Sequence, residues 1–294
     1  MKFLGVSSLD TLWYASIGGI SVRAAYNISL KAFDDWRRKM KEFFGWGGYQ
    51  RQPEGFLSWQ HLTFVSCLMA LMIIFAVVLG LRNKNKSYGE KNRVLIWSAI
   101  LIDAFEIFKI VFMCLREHDP FRWRYELPLF LCSILLIAMP IAAFSKGRLR
   151  ESAVDFVFIF GVLGAVLGTY GAGNNYAANP VLSFDNLISG ITHTLSGFAS
   201  LYIGVAGMAT MKKKNIPITF AVLLGFAGCA AVANKIVDYN YMFLRKGDGT
   251  PYDILYSLVG GNAVLYPICV IGLFLVYILA FYGVNHLIKR AKNK

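Results

Sequence analysis

Ionisable side chains interrupt stretches of this chain that are otherwise apolar enough to leave water. Asp103, Glu106 and Lys109 break one such stretch, and His193 lies near the middle of another. Asn234, Lys235 and Asp238 crowd the end of a third, and His61, beside Gln60, opens a fourth. Charge is costly in a low-dielectric interior, so such groups mark functional sites by default. Glu106–Lys109 and Lys235–Asp238 are also i, i+3 pairs, a spacing at which opposite charges on one helix simply neutralise each other. A lone His between helices can equally be a hydrogen-bond partner and nothing more. Cys67, Cys114, Cys132, Cys229 and Cys269 all fall in apolar stretches, without a C-x-x-C pair or a His at ligand spacing. Neither a disulfide framework nor a metal or cofactor site is expected from that pattern. Four of the five read as small hydrophobes.

The elements that must position these groups are long apolar helices. Seven segments qualify: Ser58–Leu81, Arg93–Leu115, Glu126–Phe144, Ser152–Gly173, Phe184–Met208, Pro217–Tyr239 and Asn262–Val284. A bilayer crossing needs about 20 mostly apolar residues, and each has roughly that length. A composition 56% hydrophobic and 15% aromatic, with mean hydropathy +0.52, agrees. The connections are short, so residues 56–294 predict an all-α membrane protein, a polytopic bundle of about seven transmembrane helices with no soluble domain.

Residues 1–55 form a separate segment. Met1–Leu12 lacks the basic start and apolar run of a signal peptide. Leu9–Ile28 carries Asp10, Arg23 and a Gly18–Gly19 pair, which disfavours a further span. Ala32–Trp46 places Phe33, Trp36, Met40, Phe43 and Phe44 at helical spacing with Arg37, Arg38, Lys39 and Lys41 between them. That is an amphipathic interfacial helix.

Net charge +13 suggests nucleic acid, but position argues otherwise. Alternate connections collect Arg82, Lys84, Lys86, Lys91 and Arg93, then Lys146, Arg148 and Arg150, then Lys212, Lys213 and Lys214, and finally Lys289, Arg290, Lys292 and Lys294. The connections on the other side hold 5, Arg116, Arg122, Arg124, Arg245 and Lys246, although the basic Ala32–Trp46 helix also falls on that side, against the rule. Basic residues stay cytoplasmic. The expectation is a cell-membrane protein with its C-terminus inside, the Asn174–Ser183 loop outside, membrane lipids as partners and no nucleic acid. At about 1.5 Å per helical residue, His61, Asp103, Glu106, Lys109, Cys132, Asp185, Asn186, His193, Asn234, Lys235 and Asp238 then fall in the outer half, around one cavity. Gly161, Gly164, Gly168 and Gly171 share one face of the fourth span, a close-packing stripe. Gly225 and Gly228, with Ala227, Ala230 and Ala231, are expected to serve the sixth similarly.

Three segments resemble the YwaF-like family of bacterial multi-pass integral membrane proteins. They are Glu126-Leu127-Pro128-Leu129-Phe130-Leu131-Cys132-Ser133-Ile134, Ile188-Ser189-Gly190-Ile191-Thr192-His193, and Asn240-Tyr241-Met242-Phe243-Leu244-Arg245 with Pro251 and Leu255 beyond. His61 and Glu106 accompany them in the family's order, and the likeness spans roughly residues 56–284. A similar vertebrate branch acts as a phospholipid acyltransferase with an intramembrane cysteine and histidine. The histidine corresponds to His193. That branch has its cysteine directly after the proline, where this chain has Leu129, and a His next, where this chain has Phe130. Cys132 follows three residues later, near the same helix face.

The resemblance implies a Cys–His pair for acyl transfer, Cys132 as nucleophile and His193 as its base. Glu106 or Asp238 would orient the imidazole, and Lys235 would supply the positive neighbour that favours a thiolate. His61 and Asn240 complete the substrate-binding or orienting set. Ser133, Thr192 and Thr194 are hydroxyl alternatives needing stronger activation. The competing expectation is a transporter or lipid/small-molecule binding protein using the same cavity without catalysis.

Overall fold

The computed structural model describes residues 16–17 and 20–292. The chain divides into two compact units, residues 1–51 and 52–294.

In the first unit a two-residue antiparallel ladder, β1 (Ser16–Ile17) with β2 (Ile20–Ser21), precedes helix α1 (Val22–Phe44). This helix begins ten residues before the expected start at Ala32, and Ile20–Ile28 therefore belongs to the ladder and α1. Met1–Leu12 lies outside the described residues. Phe33 and Trp36 are more than half exposed, with their rings 5.9 Å apart. Asp35 pairs with Arg38 and Lys39 at 2.5 and 2.7 Å on the same helix. Gly45, at φ +64°, ends α1 in a left-handed conformation that glycine adopts without a Cβ penalty.

The second unit is all helical: α2 (Trp59–Asn83), α3 (Tyr88–Glu117), α4 (Leu135–Phe144), α5 (Gly147–Thr169), α6 (Gly173–Ala178), α7 (Phe184–Val205), α8 (Ile216–Ile236), α9 (Tyr252–Leu258) and α10 (Leu265–Lys292). The helix starts follow local chemistry. The Ser58 hydroxyl accepts from the His61 amide, Ser87 and Glu90 close a capping box, and Ser183 accepts from the Asn186 amide. Among the described residues four helices are long and apolar enough to cross a membrane: Trp59–Asn83, Gly147–Ala178, Lys213–Ile236 and Leu265–Ala291. In the second of these 67% of the most apolar window is buried, against 22–28% in the others. The Gly147–Ala178 segment is therefore the axis of the bundle. α3 and α7 are long as well, at 30 and 22 residues, but more polar.

The predicted third span is not one helix. Only Leu135–Phe144 is α-helical, about 15 Å of rise, or half the roughly 30 Å hydrocarbon thickness. Glu126–Ile134 before it is irregular. Pro128 has no amide hydrogen and pushes its predecessor away from helical angles. Side chains take over the freed backbone groups. The Leu127 amide donates to the Tyr241 hydroxyl at 3.2 Å, that hydroxyl donates to the Arg124 carbonyl, and the Phe130 amide donates to Ser133 Oγ at 3.3 Å.

Gly161, Gly164 and Gly168 of α5 pack against other elements, whereas Gly171 lies exposed beyond the end of α5, its nearest contacts being Leu167 of the same segment. A Cβ at Gly161 would stand 2.6 Å from Ser200 Cβ on α7. On α7 itself, a Cβ at Gly190 would meet Leu68 of α2 at 2.8 Å. Gly225 and Gly228 depart from expectation: nothing lies within 4 Å of a Cβ at either. On α8 the close packing belongs to the buried Ala227 and Ala230, while Ala231 is exposed. Cys67 and Cys229 are also exposed rather than buried.

Candidate functional site

A cavity of about 150 Å³ opens where the irregular Glu126–Ile134 segment crosses α3 and α7. Glu106 and Lys109 reach it from α3, and Tyr125, Glu126, Phe130, Cys132 and Ser133 from the irregular segment and the turn before it. Ser189, Thr192, His193 and Ser196 reach it from α7. Cys132 and His193 thus share one cavity wall. Behind them α5 acts as a ruler. A Cβ at Gly164 would stand 3.4 Å from Cys132 Cβ, and a Cβ at Gly168 would collide with the His193 ring. Those glycines are i, i+4 neighbours, roughly 5–6 Å apart on one face. No hydrogen bond joins the thiol and the imidazole among the described residues. At Gly168 only glycine leaves room for the ring, whereas at Gly164 a Cβ would make ordinary contact.

From this cavity an ion-pair ladder runs to the end of the bundle. Lys109 Nζ lies 2.6 Å from Glu106 and 3.1 Å from Glu126. Arg122 links Glu126 at 3.1 Å to Glu117 at 2.8 Å, and Arg116 continues to Asp185 at 2.7 Å. Each charge in the partly buried ladder is paired, as removal from water requires. Asp103 is half-buried one turn before Glu106.

The other expected site residues lie elsewhere. His61 is fully buried, but both ring nitrogens serve the backbone: Nδ1 accepts from the Leu57 amide at 3.1 Å, and Nε2 sits 3.2 Å from the Thr169 carbonyl. Its ring lies 3.9 Å from that of Tyr176, tilted by 37°. It fastens the start of α2 to the end of α5 and does not line the cavity. Lys235 and Asp238 are exposed. Asp238 pairs with Arg245 at 2.6 Å and its side chain is 88% exposed. The pair Lys235–Asp238 turns away because α8 presents Asn234 inward instead. Asn234 clamps the Tyr241 backbone from both sides, at 2.6 and 3.1 Å, and so steadies the hydroxyl that holds Leu127.

Asn240 also works on the connection, donating to the Lys246 carbonyl at 2.8 Å and to Asp248 at 2.7 Å. Burial alone would raise the Asp248 carboxyl; the bonds from Lys246 and Asn240 outweigh it and hold it below the usual carboxylate range. The positive neighbour of the thiol is therefore Lys109, not Lys235, and the carboxylates at the cavity are Glu106 and Glu126, not Asp238. Glu126 and Arg122 were not among the expected site residues. The Glu106–Lys109 spacing was a legible signal, whereas Glu126 reaches Lys109 only because the chain after it is not helical.

The sequence profile of the TMEM164 family matches residues 56–282, more than three quarters of the chain, so the chain belongs to the TMEM164 family. No curated protein and no solved structure matches.

Proposed function

We propose that this member of the TMEM164 family is a membrane-embedded acyltransferase that moves an acyl chain between phospholipids through Cys132, with His193 as general base. The observation that carries the reading is the shared cavity wall, with the two side chains seated on Gly164 and Gly168 of one helix face. The likeness to the YwaF-like family and its vertebrate acyltransferase branch points the same way. His193 takes the thiol proton, and the sulfur attacks the ester carbonyl carbon of a donor phospholipid. The tetrahedral adduct expels the lysophospholipid alkoxide, which leaves with the proton held by the imidazole. A thioester remains on Cys132. His193 then deprotonates the hydroxyl of an acceptor lysophospholipid, which attacks the thioester, and the sulfur leaves and recovers its proton. Lys109 lines the cavity as the cation that favours the thiolate, and it in turn is held by Glu106 and Glu126.

Seven crossings go with this reading: α2, α3, the Glu126–Phe144 segment, α5, α7, α8 and α10. The 15-to-5 distribution of basic residues supports a cytoplasmic C-terminus, a cell-membrane location and a site reached from the outer leaflet. Irregular backbone at membrane depth is tolerated where protein buries it or a polar cavity receives it. Residues 1–55 then form an interfacial segment, with the apolar face of α1 on the lipid surface.

One observation favours the second reading, a carrier or lipid-binding protein. A half-helix preceded by unwound backbone at a polar cavity is also how secondary transporters build substrate sites. Lipidomics on cells expressing the wild type, Cys132→Ala and His193→Ala separates the two. Acyl-chain exchange among phospholipids that vanishes in both variants supports the enzyme. Lipid composition indifferent to both substitutions supports the carrier.

A further inference from the structure

A second, larger recess lies in the same unit. It has a volume of about 510 Å³, within the roughly 300–1,000 Å³ range of ligand-sized sites, and shares no lining residue with the Cys132 cavity. Its walls are apolar: Phe158 of α5, Gly204 at the end of α7, and Tyr277, Ala280, Phe281 and Val284 of α10. Two contacts bridge α5 and α10 and leave the gap between them unfilled. Phe158 and Phe281 meet edge to face at 5.2 Å, and the Tyr277 hydroxyl donates to the Ile159 carbonyl at 3.1 Å. A Cβ at Gly204 would stand 2.7 Å from the Phe158 ring, so the missing side chain leaves room for that ring in the wall.

Asn285 and Lys289 stand at the mouth. Lys289 Nζ donates to the neutral Thr210 carbonyl at 2.9 Å and has no carboxylate partner among the described residues. The acids nearby are already engaged. Asp155 accepts from the Thr210 and Met211 amides, from Asn215 and from Tyr282, and Glu151 pairs with Lys212 at 2.7 Å.

We propose that this groove holds one acyl chain of an anionic phospholipid, with its phosphate at Lys289. The apolar walls match a hydrocarbon chain, and the uncompensated ammonium at the rim matches an anion. A basic side chain at the rim of an interhelical groove is the pattern by which anionic headgroups are held. The lipid bridges α5 and α10 where protein leaves the space open.

The test uses the purified full-length chain in neutral detergent, titrated with dioleoyl phosphatidylglycerol or dioleoyl phosphatidylcholine and read by native mass spectrometry and thermal unfolding. The wild type should retain one phosphatidylglycerol about fivefold more tightly than phosphatidylcholine, the scale of one lysine acting on an anionic lipid. Lys289→Ala should abolish that preference. Ala280→Trp and Val284→Trp, which fill the groove from exposed positions, should lose retention of both lipids, while Cys132→Ser keeps it. Equal affinity of the wild type for the two lipids, or an unchanged preference in Lys289→Ala, overturns the proposal. So does cross-linking of Ala280→Cys to a second copy, which would make this face a subunit contact.

Discussion

At the scale of single residues, the consequential glycines are Gly164 and Gly168. Their pattern read as packing alone, and packing it is, but the partners are Cys132 and His193 as well as α7. The spacing three, four, three was legible; the identity of the opposing side chains was not, since it depends on how Glu126–Ile134 folds. Gly168→Ala should push the imidazole out of place and lower acyl transfer at least tenfold, with the helix content measured by circular dichroism unchanged. Gly164→Ala should cost less, because its Cβ would meet Cys132 at 3.4 Å, ordinary contact. If Gly168→Ala keeps full activity, the present seat of His193 is not the working one. Cys132→Ser and His193→Ala should each remove nearly all transfer, and the double variant little more, because residues acting as a unit are not additive. Lys109 makes a separate prediction. Lys109→Met leaves Glu106 without its cation, a loss worth up to about 3–5 kcal/mol when fully buried. It should be smaller here, because the side chains are 12–20% exposed. Unfolding in detergent should show the loss, and Glu106→Gln in the same chain should recover part of it.

Among the elements, the irregular Glu126–Ile134 segment is the one that sequence periodicity could not deliver. Its apolar residues fit a continuous helix, and one proline does not by itself announce nine residues of unwound chain. What stabilises it lies more than a hundred positions away, in the Tyr241 hydroxyl and the Asn234 amide that holds Tyr241. Lys235 and Asp238 were misplaced for the same reason, because the face that α8 turns inward is set by Asn234 and the small residues Ala227 and Ala230. Tyr241→Phe removes one donor and one acceptor and leaves the Leu127 amide without its partner. Such a loss costs about 1–3 kcal/mol. Amide hydrogen exchange at Leu127–Ser133 should accelerate well above the rest of the bundle. Uniform exchange in that variant would mean that Tyr241 is not the clamp.

For the whole molecule, the apolar, all-helical character was plain from composition and segment length, because burial of about 20 apolar residues leaves little choice of structure. The number of crossings was harder to read, since α3 and α7 carry the site's own polar groups and so lose the plain hydropathy of a span. The basic asymmetry predicts orientation. In a chain with Cys67 and Cys229 replaced by Ala, a Cys placed at the exposed Asn175 should react with an impermeant thiol reagent in intact cells. Reaction only after lysis would put the cavity on the cytoplasmic side. The central claim concerns chemistry, and its most direct measurement is acyl transfer by the purified protein in vesicles, from a phospholipid isotopically labelled in one acyl chain to an added lysophospholipid. The wild type should form labelled diacyl product, and Cys132→Ser, inserted and folded to the same extent, should lose at least a hundredfold in rate. Transfer by Cys132→Ser at the wild-type rate, or none by the wild type with any labelled donor, would contradict the acyl-enzyme account and leave the cavity to a carrier.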